Sequence, residues 1–192
     1  MPKPKKITRE QILEAAEQIV RSSGIDALRA RMLADKLNCS TQPLFREYKT
    51  MDEIKADVIV RVGEKFNEYY NEKMKQGGVH PYRASGLAYI GFSKDEKEFF
   101  KLLFMRDRTN ERLPQYDTTV NAVLETIKEH FALNQEEAHK LHERMWVVVH
   151  GIATLNLTGF VEMSDETVNE ILSDIFTGLM LLDGKTPDPP QK

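Results

Sequence analysis

Two short apolar stretches with helical spacing, separated by a sharp break, lie within residues 28–54, and this arrangement most limits how the chain can fold. Leu28, Leu33, Ala34 and Leu37 form the first stretch. Asn38-Cys39 interrupts it, and Ser40 is a good N-cap for a second, shorter helix. Pro43 then falls at the third helical position, where the first turn leaves its N–H unpaired in any case. Leu44 and Tyr48 are four residues apart and share a face, which is expected to be the core face. Thr41, Gln42, Phe45, Arg46 and Lys49 fall on the outer faces. Two short helices joined in this way read as a helix-turn-helix. The outward set suits DNA, with hydroxyl and amide groups for base edges or phosphates and two cations for the backbone.

Four pieces of sequence, in order, resemble the N-terminal domain of the TetR family. They are Gly24-Ile25-Asp26-Ala27-Leu28, Leu33-Ala34, Ser40-Thr41-Gln42-Pro43-Leu44-Phe45-Arg46 and Asp52-Glu53-Ile54, and the resemblance spans residues 7–60. It implies an all-helical, dimeric transcriptional regulator that releases DNA when a small molecule binds. The chain departs from the family pattern at four positions. Arg29 replaces the usual small hydroxyl residue, and Asn38 replaces the turn glycine. Phe45 replaces a tyrosine that would hydrogen-bond phosphate, and Met51 replaces a frequent lysine. Asn38 preserves the turn, because asparagine tolerates a left-handed backbone better than most residues. About 100 residues further on, Trp146-x-x-x-His150-Gly151 resembles the pattern of one TetR-family C-terminal domain type.

The 192 residues suffice for one domain or two small ones. The net charge of −3 hides a division. Residues 1–50 hold 10 Lys and Arg against 6 Asp and Glu, a net +4, while the remainder holds 17 against 24, a net −7. A basic head on an acidic body fits a protein that meets phosphate at one end. A single cysteine, Cys39, excludes an internal disulfide framework and suits a reducing cytoplasm. No apolar run reaches the ~18 residues of a membrane span, and no apolar segment follows the basic start to make a secretory signal.

The expected order of elements is a flexible basic tail followed by about nine helices, with no strands. Thr8-x-x-Gln11 is a capping box, with Ile7 and Ile12 as its staple, opening a helix to about Ser22. Thr50-x-x-Glu53 opens a long helix from Met51 to about Lys75, which would span roughly 37 Å and act as a lever from the head into the body. Tyr82 to Phe92 is expected as a helix, with Ser93 capping the next. Residues 106–112 read as a polar loop. Pro114, Asn134 and Ser164 or Asp165 then open three further helices, and Gly159 interrupts between the last two. The domain boundary is expected at residue 50, with residues 1–50 binding DNA and residues 51–192 binding ligand and dimerising.

The candidate DNA contacts are Thr8, Arg29, Arg31, Thr41, Gln42, Pro43, Phe45, Arg46, Tyr48 and Lys49. Arg46 and Lys49 suit phosphates, and Thr41 and Gln42 suit base edges. Phe66, Phe92, Phe104, Trp146 and His150 are candidates for a ligand cavity. Each also reads as core, since aromatic residues at helical spacing commonly pack together. The absence of fixed charge among them suggests a largely apolar ligand. Leu155, Leu157, Ile171, Ile175 and Leu179 exceed what one helix stripe requires. The resemblance implies that they pair with a second copy in a four-helix bundle. His139, His142 and Glu143 share a helix region but lack a further ligand nearby, so no metal is expected. No cofactor is expected, and no nucleophile–base–acid set points to an enzyme. Cys39 precedes a helix start, which favours a thiolate, yet there is no resolving cysteine. The expected partners are double-stranded DNA, a small molecule and a second copy of the chain, in the cytoplasm. The alternative is a helical ligand-binding or adaptor protein without specific DNA binding, for which Phe45, Glu47 and Met51 are the suggestive residues.

Overall fold

The computed structural model describes residues 7–107, 109 and 114–186. The basic tail before residue 7, part of the polar stretch 106–112 and the proline-rich end beyond residue 186 lie outside them. Among the described residues the regular elements are all helical, as the sequence predicts. In order they are α1 (Arg9–Ser23), a 3-10 turn (Ile25–Ala27), α2 (Ala30–Lys36), α3 (Leu44–Glu47), α4 (Met51–Lys75), α5 (Pro81–Asp95), α6 (Lys97–Phe104), α7 (Pro114–Phe131), α8 (Gln135–Thr158) and α9 (Asp165–Leu182).

Capping chemistry sets most of these boundaries. Thr8 Oγ1 accepts the Gln11 N–H at 3.2 Å, and the Gln11 side chain accepts the Thr8 N–H at 3.1 Å. The expected apolar stripe of α1, Ile12, Ala15, Ala16, Ile19 and Val20, is buried. Asn134 and Glu137 form the same reciprocal pair at the start of α8, at 3.0 and 2.8 Å. Ser164 accepts the Thr167 N–H at 3.1 Å to open α9. At α4 the box is offset: Thr50 accepts from the Glu53 N–H, but the Glu53 carboxylate accepts from the Lys49 N–H instead of that of Thr50.

Ser93 departs from expectation. It does not stop α5 or cap α6. The helix runs on to Asp95, with Ser93 fully buried, and its hydroxyl faces the carbonyls of Ile90 at 2.7 Å and Ala153 at 3.3 Å. A serine in mid-helix satisfies itself against the preceding turn, and here it also reaches α8. Glu96 instead precedes α6, without a side-chain cap.

The chain divides into two compact units. One takes the residues up to Glu68 together with Glu96–Asp107, and the other takes Tyr69–Asp95 with the chain from Arg108 onward. This division does not follow residue 50: the first part of α4 and all of α6 belong with the head.

In the first unit, α1 packs against α2, α3 and α6. Arg21 on α1 pairs with Glu96 just before α6, and Phe66 meets Phe104 edge-on at 5.2 Å. Glu17 is a carboxylate buried on α1, and it is neutralised by Arg61 at 2.8 Å and Lys65 at 3.4 Å from α4. In the second unit α5 and α8 form the central pair, with α7 and α9 packed on α8. Gly86 permits this close approach, since a Cβ there would lie 3.2 Å from Val149 Cγ2.

Candidate nucleic-acid interface and ligand cavity

The head surface is built by a turn and a short helix. The chain leaves α2 through Asn38 at φ +50°, the left-handed conformation expected where the family pattern has glycine. The Asn38 and Cys39 N–H groups donate back to Asp35 and Ala34. Helical hydrogen bonding resumes at Thr41, whose carbonyl accepts from Leu44 at 3.1 Å and Phe45 at 3.4 Å. Two sequence expectations need correcting here. The residue at the N-cap of α3 is Pro43, with no side-chain cap, so Ser40 does not open this helix. Pro43 therefore stands immediately before α3, at φ −58° and ψ −34°, instead of three residues inside it.

Leu44 and Tyr48 are buried, and this fixes which side of α3 faces out. Thr41, Gln42, Phe45, Arg46 and Lys49 are exposed together on the outer side, as are Arg29 and Arg31 at the start of α2. Phe45 keeps 44% of its surface exposed, and Met32 on α2 keeps 46%. Pro43 is half-buried, while Thr8 is exposed with its hydroxyl engaged in the α1 cap.

Tyr48, expected both as a core residue and as a DNA contact, lies in the core at 2% exposure. Its hydroxyl donates to Asp57 Oδ2 at 3.0 Å, and Arg9 Nη2 donates to the same oxygen at 2.7 Å. The Arg9 guanidinium also lies 4.1 Å from the centre of the Tyr48 ring. Burial, and then the Asp57 carboxylate, push the Tyr48 pKa up to about 12. The arrangement joins α1, the end of α3 and α4. Sequence reasoning missed Asp57 and Arg61, although both sit on α4 beside the apolar positions Val58 and Val62.

The aromatic residues expected around a cavity make ring contacts with their neighbours. Phe66 and Phe104 pair in the first unit. In the second, Phe92 is buried and meets Tyr69 edge-on at 5.4 Å. Trp146 stacks on His150 at 5.1 Å and 15°, and His150 Nδ1 lies 2.9 Å from the Tyr89 hydroxyl. Burial lowers the His150 pKa. The second unit holds a cavity of about 180 Å³ elsewhere. Its walls are Tyr70, Asn71 and Met74 of α4, Pro81, Tyr82 and Ser85 of α5, and Ala122, Val123 and Thr126 of α7.

Leu155, Ile171, Ile175 and Leu179 are half-buried, whereas Leu157 is already buried within the chain. Burial raises the Cys39 pKa, the opposite of an activated thiol. Among the described residues, no group of three or more His, Cys, Asp or Glu is placed to hold a metal ion. Nor is any helix among them long and apolar enough to cross a membrane.

Comparison with known proteins assigns the family. No curated protein matches the chain significantly. The fold is similar to a TetR-like transcriptional regulator from Rhodococcus sp. RHA1, with a TM-score of 0.66 and 16% identity over 95% of this chain and 99% of that one. It is also similar to a putative TetR-family transcriptional regulator from Vibrio parahaemolyticus, with a TM-score of 0.62 and 17% identity over 88% and 96% of the two chains. A third similar structure is the multidrug binding protein EbrR complexed with imidazole, with a TM-score of 0.59 and 16% identity over 97% of each chain. Residues 82–178 match the family model for the tetracyclin repressor-like C-terminal domain. The chain thus belongs to the TetR family, whose members are transcriptional regulators and not enzymes.

Proposed function

We propose that the chain is a homodimeric, ligand-responsive repressor that binds a pseudo-palindromic operator and is released from it by a small, largely apolar molecule. The observation that carries this is the outward face of α3 and its preceding turn. Thr41, Gln42, Phe45, Arg46 and Lys49 are exposed there while Leu44 and Tyr48 anchor the other side. Arg46 and Lys49 take phosphates, and Thr41 and Gln42 reach base edges in the major groove. The Phe45 ring supplies apolar contact without the hydrogen bond that a tyrosine would add. Arg29 and Arg31 extend the basic surface to the start of α2.

The two-fold of a dimer formed through α8 and α9 would present two such heads to successive major grooves, about one helical turn apart. A ligand that binds better to a conformation with the wrong head separation lowers DNA affinity by linkage. Helix α4 is continuous from Met51 to Lys75 and passes from the first unit into the second, so it is the covalent path for that change. The similar fold of a multidrug binding protein supports a small-molecule input. A regulator acting on DNA in this way would work in the cytoplasm.

Sedimentation of the protein on a duplex carrying an inverted repeat selected by the protein itself tests this reading. Chains bound in pairs per duplex are expected. Binding of single chains to half-site and full-site duplexes with equal affinity would contradict it.

A further inference from the structure

We infer that Glu47, the last residue of α3, is an electrostatic brake on DNA binding: its carboxylate faces the phosphate backbone and lowers affinity for duplexes of every sequence. The inference rests on the proposed DNA-binding role and assigns a part in it to the acid of α3.

Four other acids of the first unit are engaged. Asp57 holds Tyr48 and Arg9, and the Glu53 carboxylate accepts the Lys49 N–H at 2.8 Å. Glu10 pairs with Arg61, and Glu17 pairs with Arg61 and Lys65. Glu47 differs. Among the described residues its carboxylate has neither a hydrogen-bond donor nor a cation as partner, although Arg46 precedes it and Lys49 follows two residues on. A neutral side chain of the same shape would hold the fold equally well.

The position of Glu47 decides what it meets. Successive residues of a helix are about 100° apart, so Phe45 and Glu47 flank the buried side set by Leu44 and Tyr48. Glu47 is half-buried on its flank. A helix is about 10–12 Å across and the major groove about 12 Å wide, so a helix seated there carries its flanks against the two phosphate strands. Base edges are met from the N-terminal end of such a helix, where Thr41 and Gln42 stand, and Glu47 is at the other end. Its carboxylate has no proton to give a phosphate oxygen, and within a Debye length of about 8–10 Å the repulsion is little screened. The neighbours do not offset it, since Phe45 brings no hydroxyl and Met51 no charge. Glu47 thus cancels one of the two positive charges that Arg46 and Lys49 supply, and base contacts carry a larger share of the affinity.

The test is fluorescence anisotropy of the full chain on a duplex selected by the protein and on an unrelated duplex of equal length. Glu47→Gln keeps the shape and removes the charge. It should tighten both duplexes alike, about 8-fold at about 0.1 M salt and about 3-fold at about 0.3 M. The slope of log affinity against log salt should steepen by about 0.9. Glu47→Asp keeps the charge and should bind as the native protein does. Equal affinity of the native and Glu47→Gln proteins would overturn the inference, as would equal tightening by Glu47→Asp. Tightening without a steeper slope would put the effect in the helix itself and overturn it too. A changed preference at one base pair would make Glu47 an acceptor for a cytosine amino group, with the same consequence. Native protein that binds neither duplex contradicts the proposed function, and the inference with it.

Discussion

The Tyr48 hydroxyl donates to Asp57 Oδ2 across 3.0 Å, fastening the end of α3 to α4. Arg9 donates to the same oxygen at 2.7 Å and lies over the Tyr48 ring, so one carboxylate joins three elements. Because α3 is only four residues long, its orientation depends on such anchors more than on its own hydrogen bonds. Tyr48→Phe keeps the ring and its contact with Arg9, and should cost about 1 kcal/mol of stability for the lost hydrogen bond. Asp57→Ala should cost more and also weaken DNA binding, since it releases both donors. Thermal unfolding and fluorescence anisotropy on operator DNA check this. Unchanged DNA affinity in Asp57→Ala would mean that the anchor has no part in positioning the helix.

Phosphate and base contacts are separable by salt. Arg46→Ala and Lys49→Ala should weaken binding to all duplexes alike, each reducing the slope of log affinity against log salt by about 1. Gln42→Ala should instead relax sequence preference, at about 1–3 kcal/mol on the preferred site. Titrations at several salt concentrations tell the two classes apart. A Gln42→Ala protein with intact preference would place base reading elsewhere.

Gly24 is required by its backbone conformation, since the Glu98 carboxylate that a side chain would meet can move aside. Its φ of +77° disfavours any side chain, and a Cβ would approach Glu98 Oε2 to 2.8 Å. Gly24→Ala should therefore destabilise the head by more than about 1 kcal/mol. Asn38→Gly, at a position with positive φ but a tolerant residue, should be close to neutral. Paired unfolding curves decide it, and equal costs at the two positions would contradict the account.

Acid should loosen the second unit. Burial lowers the pKa of His142, with His139 adding to the shift and Glu143 opposing it, and burial also lowers that of His150. The folded protein therefore holds both rings neutral at pH values where the unfolded chain binds protons. Their contribution is fully present above the ordinary histidine pKa of about 6.5 and is lost as pH falls through the depressed values. The melting temperature should drop between pH 7.5 and 5.5, and drop less in His142→Phe. A drop of the same size in that variant would exclude His142 as a source.

How much was legible in the sequence follows the range of each interaction. The caps at Thr8, Asn134 and Ser164 involve residues three apart, and all three were readable. The left-handed turn at Asn38 is equally local. Ser93 resembled a cap, but its surroundings include Ala153, 60 residues away, which no local pattern reports. Asp57 looked like one more charge on a long helix until the fold brought Arg9 and Tyr48 to it. The cavity was missed for a related reason. Large aromatics attract attention in a sequence, yet they fill space by stacking on each other, as Trp146 does on His150. The hollow lies among residues of α4, α5 and α7, from Tyr70 to Thr126, that no local pattern brings together.

Selection of random duplex DNA by the purified protein, repeated at two salt concentrations, tests the central claim most directly. Recovery of a two-fold-symmetric site that persists at the higher salt is the predicted result, since base contacts supplement the phosphate term. Binding without a recovered motif, vanishing as salt rises, would show that only the electrostatic term exists and would contradict sequence-specific recognition by α3.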